Sequence, residues 1–205
     1  MKKKRVGVRL FKAFVLCILL LGIVGVAAGG VFVKHVIDNT PEVTAKDILP
    51  QGYTTSIVDQ NGTVLEQLKD SDSNRVYKKY DEISKYMGDA FVAIEDERFY
   101  KHNGIDLQGI IRAGVVGVTH GFHFTEGAST LTQQLIKNNV FPNFVNETNS
   151  ERFERKIQEQ YLALKIEKQM SKKEILEAYM NTINLGQGCL GVQTAAKRYF
   201  NKDAA

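Results

Sequence analysis

Two adjacent carboxylates follow an apolar run and open the stretch EDERFYKHNG, residues 95–104. If this stretch is helical, the spacing of four and three residues places Glu95, Phe99 and His102 on one face. Phe91 lies one turn before Glu95 on the same face. A carboxylate framed by two aromatic rings would lose solvation, and this loss favours its protonated form. The pattern therefore suits a general acid or base, which works best when it exchanges its proton near the working pH.

The alternative is that Glu95 and Asp96 lie on the solvated edge of an ordinary amphipathic helix. Helix geometry alone favours this alternative, because structural acids greatly outnumber proton-transferring ones. His102, taken alone, is a hydrogen-bonding residue just before Gly104, where the helix should stop. The choice between the two interpretations depends on the other candidate residues of the chain.

A second group of polar residues lies in EGASTLTQQLIKNN, residues 126–139. Thr130 and Gln133 have the spacing of a capping box, so a helix should begin here. The unpaired amides and the positive dipole end of a helix N-terminus favour an anion, and Lys137 follows two turns along. The alternative is a well-capped helix that binds no ligand.

A third group lies in ERFERKIQEQYLALKIEKQ, residues 151–169. Apolar residues spaced four, four and three apart predict the buried face, which consists of Phe153, Ile157, Tyr161 and Leu164. Arg155 and Glu159 are four residues apart on the other side, with Lys156 adjacent. A solvated ion pair is the ordinary interpretation, and such pairs stabilise little. The functional interpretation is that a second carboxylate and two cations hold a diphosphate, directly or through a divalent metal.

The N-terminal part of the chain predicts a membrane anchor. Residues 13–33 form a run of 21 residues without a charged side chain. As a helix this run would span roughly 31 Å, the thickness of a bilayer core. The preceding tail has six basic residues and no acid, which predicts a cytoplasmic N-terminus and an extracytoplasmic remainder. A cleaved signal peptide is the alternative, but its apolar region is usually shorter.

Charge and cysteine content exclude several classes of protein. The net charge is +4, but the six tail cations account for the excess, so the rest of the chain is slightly acidic. A basic surface for nucleic acid is therefore not expected. Only Cys17 and Cys189 occur, one of them inside the predicted span, so neither a disulfide framework nor a cysteine metal site is predicted.

The remaining pattern predicts a small hairpin followed by helices. Asn61-Gly62 stands between two β-branched runs, which is a strong hairpin signal. The predicted segments are a basic tail at 1–12, the anchor at 13–33, a linker and hairpin at 34–80, and a helical domain at 81–205. Helices are predicted at 81–101, 106–118, 130–138, 151–169, 172–182 and 188–199. The fold class is therefore mainly α.

Five motifs, in this order, resemble those of the peptidoglycan glycosyltransferases. They are EDERFYKHNG, GASTLTQQ, RKIQE, ILEAYMN and GCLGVQTAAKRYFNK, and together they cover about residues 90–202. This family comprises the N-terminal domain of class A penicillin-binding proteins and the monofunctional enzymes. The resemblance implies a lysozyme-like helical domain that polymerises lipid II by inverting transfer and releases undecaprenyl diphosphate. It also implies lipid II, a lipid-linked glycan chain, the membrane and cell-wall synthesis proteins as partners.

The resemblance also implies roles for particular residues. Glu95 would be the general base that takes the proton of the acceptor 4-hydroxyl group. Glu159 would be a second acid that helps the diphosphate to depart, with Mg²⁺ or Mn²⁺ as a candidate ligand. The diphosphate-binding positions are Lys137, Arg155 and Lys156. The other cleft positions are Ser129, Thr130, Gln133, Gln134 and Asn138. The supporting positions in the first motif are Asp96, Phe99, His102 and Gly104.

Two alternatives stay open at this stage. Family members continue beyond the terminal YFNKDAA through further helices, so the resemblance implies a domain that is incomplete at its C-terminus. A non-catalytic scaffold in a cell-wall complex would fit such a truncation. A membrane-anchored lytic glycan hydrolase would also use an acid-rich helical cleft. No Ser-x-x-Lys occurs, so no transpeptidase centre is expected within these residues.

Overall fold

The computed structural model of the protein describes residues 2–68, 74–121, 127–142 and 144–205. The chain divides into two compact units, Met1–Pro41 and Glu42–Ala205. The helices are α1 (Lys2–Asp38), α2 (Lys85–Glu95), α3 (Leu107–Thr119), α4 (Leu131–Val140), α5 (Asn149–Ile166), α6 (Lys172–Thr182) and α7 (Val192–Phe200). The strands are β1 (Thr55–Val58) and β2 (Val64–Leu68). The prediction of a mainly helical protein with one small hairpin is confirmed.

The first unit is dominated by α1. Its segment Phe11–Asp38 is 28 residues long and apolar enough to cross a membrane. None of the most apolar part of this segment is buried inside the protein. The prediction of an apolar helix over residues 13–33 is confirmed, whereas the segment boundaries and the orientation stay predictions.

The hairpin of the second unit forms as predicted, but its turn differs. Strands β1 and β2 are antiparallel, with Thr55 opposite Leu68, and the register is irregular at the end of β1. A two-residue Asn61-Gly62 turn would need positive φ at both residues. Gly62 has a φ of +82° but Asn61 does not have a positive φ. The Asp59 carboxylate instead accepts hydrogen bonds from the amides of Asn61 and Thr63, both at 2.8 Å, and so makes a longer turn.

Three helices form the core of the second unit, because α4 packs against both α5 and α6. Many of their inward side chains are fully buried and apolar, and such burial is the main source of stability in a unit of this kind. They include Leu131, Leu135, Ile136, Leu162, Ile166, Ile175 and Leu176. These three helices were predicted as 130–138, 151–169 and 172–182, and the structure confirms them within three residues at every end. The helices predicted at 106–118 and 188–199 correspond to α3 and α7.

The predicted buried face of α5 was wrong. Phe153 is 61% exposed and Leu164 is 41% exposed, whereas Glu159 is fully buried. The inward face consists of Arg155, Glu159, Leu162, Ala163 and Ile166. Apolar periodicity fails here because three polar groups neutralise one another inside the protein, as described below, and so satisfy the condition for burying charge.

The helix predicted over residues 81–101 was also wrong. The chain forms a short 3-10 turn at Tyr80–Glu82, then α2, and then a second 3-10 turn at Phe99–Lys101. Glu95 is the last residue of α2, so Glu95, Phe99 and His102 do not share a helix face. The break follows from Asp96, whose backbone adopts φ −158° and ψ 70° while its side chain turns inward.

Two polar residues of the motif ILEAYMN make hydrogen bonds to the segment before α2. The Asn181 side chain is fully buried and makes a pair of 2.8 Å hydrogen bonds with the backbone of Lys78, accepting from its N–H and donating to its carbonyl. The Glu177 carboxylate accepts from the hydroxyl of Tyr77 and from the backbone amide of Tyr80. These two polar residues of α6 are therefore structural, because they satisfy backbone and side-chain groups of another segment.

Gly104 provides a test of how closely the loop before α3 approaches α5. Its φ is +92°, and a Cβ atom would lie 2.8 Å from the backbone carbon and oxygen of Ala163. We expect Gly104→Ala to lower the free energy of unfolding by about 2–5 kcal/mol, from backbone strain and overpacking together. Gly62→Ala is the matched control, because its φ is +82° but nothing lies within 4 Å of its Cβ position.

Chemical denaturation in detergent, followed by circular dichroism, measures both variants. The control should lose only about 1–2 kcal/mol, the contribution of backbone strain. Equal losses in the two variants would contradict the close contact between Gly104 and α5.

Candidate active site

The carboxylate of Asp96 connects the end of α2 to the start of α4. It is buried and accepts a 3.0 Å hydrogen bond from the backbone amide of Leu131, the first residue of α4. His102 Nε2 lies 2.9 Å from the other oxygen of the same carboxylate. His102 Nδ1 accepts a hydrogen bond from the amide of Gly104 at 3.1 Å. The ring N–H is therefore on Nε2, which donates a hydrogen bond to the Asp96 carboxylate. Asp96 and His102 thus fix where α4 begins relative to Glu95.

The carbonyl of Gly104 makes a second connection to α4. It accepts hydrogen bonds from Thr130 Oγ1 at 2.8 Å and from Gln133 Nε2 at 3.1 Å. Thr130 Oγ1 also accepts from the amide of Gln133, so Thr130 caps α4 as predicted. The return bond of a capping box is absent from the described helix start, because the Gln133 side chain turns to Gly104 instead. Both side chains are buried, which makes them structural supports of the cleft.

Glu95 lies at the exposed end of α2, so the expected desolvation between two aromatic rings was wrong. Its Oε2 accepts a 2.8 Å hydrogen bond from Gln134 Nε2 on α4. Phe99 is fully buried and belongs to the hydrophobic core, so it does not frame Glu95 as expected. Solvent access suits a group that must meet an incoming substrate, and the neighbouring contacts of Asp96 keep the end of α2 in place.

Glu159 is the most buried acid of the site, with a fully inaccessible side chain. Arg155 Nη1 donates to its Oε1, and Lys156 Nζ donates to its Oε2 at 2.7 Å. The Lys156 ammonium also donates to Ser129 Oγ at 2.9 Å. The carboxylate and the two cations therefore form one cluster that reaches the residues just before α4.

Glu147 and Phe144 complete this cluster, and the sequence analysis missed both. Both carboxylate oxygens of Glu147 accept from Arg155 Nε at 2.8 Å. The Phe144 ring lies 4.7 Å from Lys137 Nζ and 5.7 Å from Arg155 Cζ, within the range of cation–π attraction. Neither residue shares a helix period with its cationic partner, so no spacing rule could have indicated the contact. Asn138 is half-buried next to Lys137 on α4.

Lys137 connects the two carboxylates electrostatically. Burial lowers the pKa of Lys137 below its ordinary value, and the positive charges of Lys156 and Arg155 lower it further. The charges of Glu159 and Glu95 act in the opposite direction. Glu95 accepts from Gln134 on α4, and the Glu159 cluster contacts Ser129 just before α4, so both carboxylates lie near the N-terminal part of α4.

A polar cavity of about 130 Å³ lies beside Glu95. Its walls include residues 93–98, Asp106, Arg112 and residues 127–130. Arg98 and Asp106 form an ion pair at 2.6 Å between the end of the first motif and the start of α3. The Arg98 guanidinium holds the pKa of Asp106 below its usual value through these hydrogen bonds. The sequence analysis did not single out this pair, because the eight-residue separation has no meaning within one helix.

The described residues do not offer a ready-made metal site. No group of three or more His, Cys, Asp or Glu side chains that could hold a metal occurs within the described ranges. Both oxygens of Glu159 already contact cationic nitrogens, so a divalent cation would face repulsion from Arg155 and Lys156. Mg²⁺ and Mn²⁺ also prefer oxygen ligands, but both carboxylates of this cluster, Glu159 and Glu147, already accept hydrogen bonds from cationic side chains. We therefore assign no step of the chemistry to a metal.

Comparison with known proteins identifies the family. Residues 61–205 match the family model described as Transglycosylase. The chain is 41% identical over 200 residues to penicillin-binding protein 1A of Clostridium perfringens (strain 13 / Type A), over 96% of this chain and 28% of that protein. It is 35% identical over 198 residues to penicillin-binding protein 1A/1B of Bacillus subtilis (strain 168), over 97% of this chain and 21% of that protein. The chain belongs to the transglycosylase family, which confirms the resemblance of the five motifs, and it spans roughly a quarter of the length of these relatives.

Asp96 offers a test of the connection between α2 and α4. An amide at this position replaces one acceptor oxygen with a donor NH2 group, which would face either the Nε2–H of His102 or the N–H of Leu131. We expect Asp96→Asn to lower the free energy of unfolding by about 1–3 kcal/mol, the penalty for a buried unpaired donor.

Asp81→Asn is the matched control for the loss of one negative charge. The Asp81 side chain is 80% exposed and pairs with Lys173 on the surface, so its loss should change stability by less than about 1 kcal/mol. Denaturation of both variants in the same detergent provides the comparison. A loss for Asp96→Asn no larger than that of the control would refute the connection.

Proposed function

We propose that this protein polymerises lipid II into the glycan strands of peptidoglycan. The transfer would invert the configuration at C1 of the growing chain and release undecaprenyl diphosphate. One observation carries the proposal: the exposed carboxylate of Glu95 lines a polar cavity together with Ser129, to which the Lys156 ammonium of the Glu159 cluster donates. This arrangement provides a base on one side and cations for a diphosphate on the other, within a family of transglycosylases.

In the proposed reaction Glu95 takes the proton from the 4-hydroxyl group of the acceptor sugar. The hydroxyl oxygen attacks C1 of the growing chain, and the bond from C1 to the diphosphate oxygen breaks. Lys137, Arg155 and Lys156 would stabilise the negative charge that develops on the leaving diphosphate. Solvent exposure leaves the Glu95 carboxylate open to the acceptor, which a base requires.

In this proposal Glu159 acts mainly by holding the cations. Its side chain is fully buried and contacts both Arg155 and Lys156, so it fixes their heads at the cluster while balancing part of their charge. Lys156 remains 38% exposed, which leaves its ammonium accessible to a ligand. A diphosphate carries more negative charge than these contacts supply and can therefore compete for Lys137 and Lys156.

Membrane attachment fits the proposed substrates, which carry long lipid tails. The apolar segment Phe11–Asp38 has the length and composition of a single-pass anchor. Helix α3 adds an exposed apolar face, because Leu107, Ile111, Val115 and Val118 are each more than half exposed. An exposed apolar face of this kind supports contact with a lipid surface. We further propose a cytoplasmic N-terminus and an extracytoplasmic second unit, as the basic tail predicts.

The most direct functional test replaces the proposed base. We expect Glu95→Gln to reduce polymerisation by at least about 100-fold, the contribution of a general base, with unchanged unfolding behaviour. Asp89→Asn is the matched control, because Asp89 is an exposed acid of the same helix and is not among the residues that line the cavity. It should keep near-normal turnover.

The assay incubates detergent-solubilised chain with labelled lipid II and, separately, with preformed glycan. Glycan strands from the intact protein support the proposal. Shortened preformed glycan would identify a hydrolase, and silence in both reactions would favour a scaffold. Near-normal polymerisation by Glu95→Gln would refute the assigned base.

The pKa of Lys137 predicts a pH dependence. Burial favours the neutral amine, so as pH rises Lys137 should lose its charge before an exposed lysine does. Diphosphate binding should weaken accordingly, and kcat/KM for lipid II should fall on the alkaline side. Lys137→Arg should move this alkaline limb to higher pH, because a guanidinium stays charged throughout the range.

Each pH profile is normalised to its own maximum, so that only the position of the limb is compared. Lys85→Arg, an exposed position on α2, serves as the control and should leave the limb unmoved. An identical limb in the intact protein and in Lys137→Arg would contradict the assignment of Lys137 to the alkaline titration.

A further inference from the structure

A chain of hydrogen bonds leads from the core of the second unit to Glu95. The Tyr179 hydroxyl on α6 lies 3.3 Å from Gln134 Oε1 on α4, and Gln134 Nε2 lies 2.8 Å from Glu95 Oε2. Each of the three residues belongs to a different helix. The chain therefore connects the exposed end of α2 to a fully buried side chain through one half-buried amide.

The chemistry of the groups sets the direction of this chain. An ionised carboxylate only accepts hydrogen bonds, so the amino group of Gln134 must face Glu95. The amide oxygen then faces Tyr179, whose hydroxyl donates to it. Burial, together with the negative charge of Glu95, raises the pKa of Tyr179, so its hydroxyl keeps the proton it must donate.

The Tyr179 ring is held independently of its hydroxyl. It is fully buried in the core formed by α4, α5 and α6. It also contacts the Phe91 ring of α2 edge-on, with the ring centroids 5.5 Å apart. The hydroxyl is thus a fixed reference point in the core, whereas Glu95 is an exposed side chain that would otherwise rotate freely.

We propose that Tyr179 is a positioning residue that orients the carboxylate of Glu95 through Gln134. The bond to Oε2 restricts the rotation of the carboxylate and so presents Oε1 to the acceptor hydroxyl group. This inference rests on the proposed function of Glu95 as a base. Because orientation matters for proton transfer and not for the binding of a lipid diphosphate, its loss should lower kcat and leave KM unchanged.

The test uses Tyr179→Phe in the full chain, since it removes the hydroxyl and keeps the ring. Loss of one ordinary hydrogen bond should lower kcat for lipid II by about 2- to 10-fold at constant KM. Tyr199→Phe is the matched control, because it also removes a tyrosine hydroxyl, and that hydroxyl donates to the Leu185 carbonyl at 2.9 Å instead of to the chain of bonds that ends at Glu95. The control should retain the kcat of the intact protein.

A double-mutant cycle separates positioning from a merely structural effect. If Tyr179 acts through Gln134, then Tyr179→Phe should have no further effect on kcat in a Gln134→Leu background. Equal effects of Tyr179→Phe in both backgrounds would overturn the inference. A kcat for Tyr179→Phe equal to that of the control would also overturn the inference. In that case, polymerisation by the unmutated protein would still support the proposed function.

A measurement without turnover tests the same contact even if no polymer forms. The side-chain amide protons of Gln134 can be assigned by nuclear magnetic resonance from the signals lost in Gln134→Leu. A bond to a carboxylate should place one of them downfield, and both Tyr179→Phe and Glu95→Gln should move it towards the position of a free amide. An unshifted resonance in Tyr179→Phe would overturn the inference.

Discussion

The hydrogen bonds of the Asp96 carboxylate are the constraint on which the site depends. Asp96 follows Glu95 directly in the chain. Its carboxylate accepts one hydrogen bond from His102 Nε2 and one from the backbone amide of Leu131, the first residue of α4. These hydrogen bonds therefore fix the position of the end of α2 relative to the start of α4. Gly104 adds a second connection, because its carbonyl binds two side chains of α4 and its missing side chain lets the loop touch α5. Glu95, exposed as it is, gains a defined position from buried neighbours.

The charged cluster on α5 shows how the fold places cations near the residues that lead into α4. A lone buried carboxylate would be strongly unfavourable, but Glu159 is compensated by Arg155 and Lys156, and Arg155 is compensated again by Glu147. Such a buried cluster contributes little net stability compared with apolar packing. Its value is that it holds positive groups at fixed positions, with the least buried of them, Lys156, facing the residues that lead into α4. This arrangement suits a ligand that carries more negative charge than the carboxylates of Glu147 and Glu159, with which it would compete for the cations.

The sequence predicted those parts of the fold that follow from local rules. Helix α6 begins at Lys172 after the capping residue Ser171, because the reciprocal bonds of a capping box mark a helix start unambiguously. The anchor and the hairpin likewise follow from composition and from a turn signal. The inward face of α5 could not be predicted, because periodicity assumes that buried residues are apolar, and here Arg155 and Glu159 are buried by mutual compensation. The break after Glu95 was missed for a similar reason, since it depends on a tertiary contact of Asp96.

The candidate site was found through the motifs and corrected through geometry. The residues singled out around Glu95, Lys137 and Glu159 lie near one another, but Gln133 and Thr130 prove to be supports and Glu147 emerges as a further partner of Arg155. In the proposed function, Glu95 faces a diphosphate held by the cationic cluster. Determining the structure of the chain with a lipid diphosphate sugar and an acceptor analogue bound tests it most directly. Phosphate oxygens should contact Lys137 and Lys156, and a Glu95 carboxylate oxygen should lie about 2.6–3.2 Å from the acceptor hydroxyl. A diphosphate bound away from the cluster, or an acceptor hydroxyl out of reach of Glu95, would contradict it.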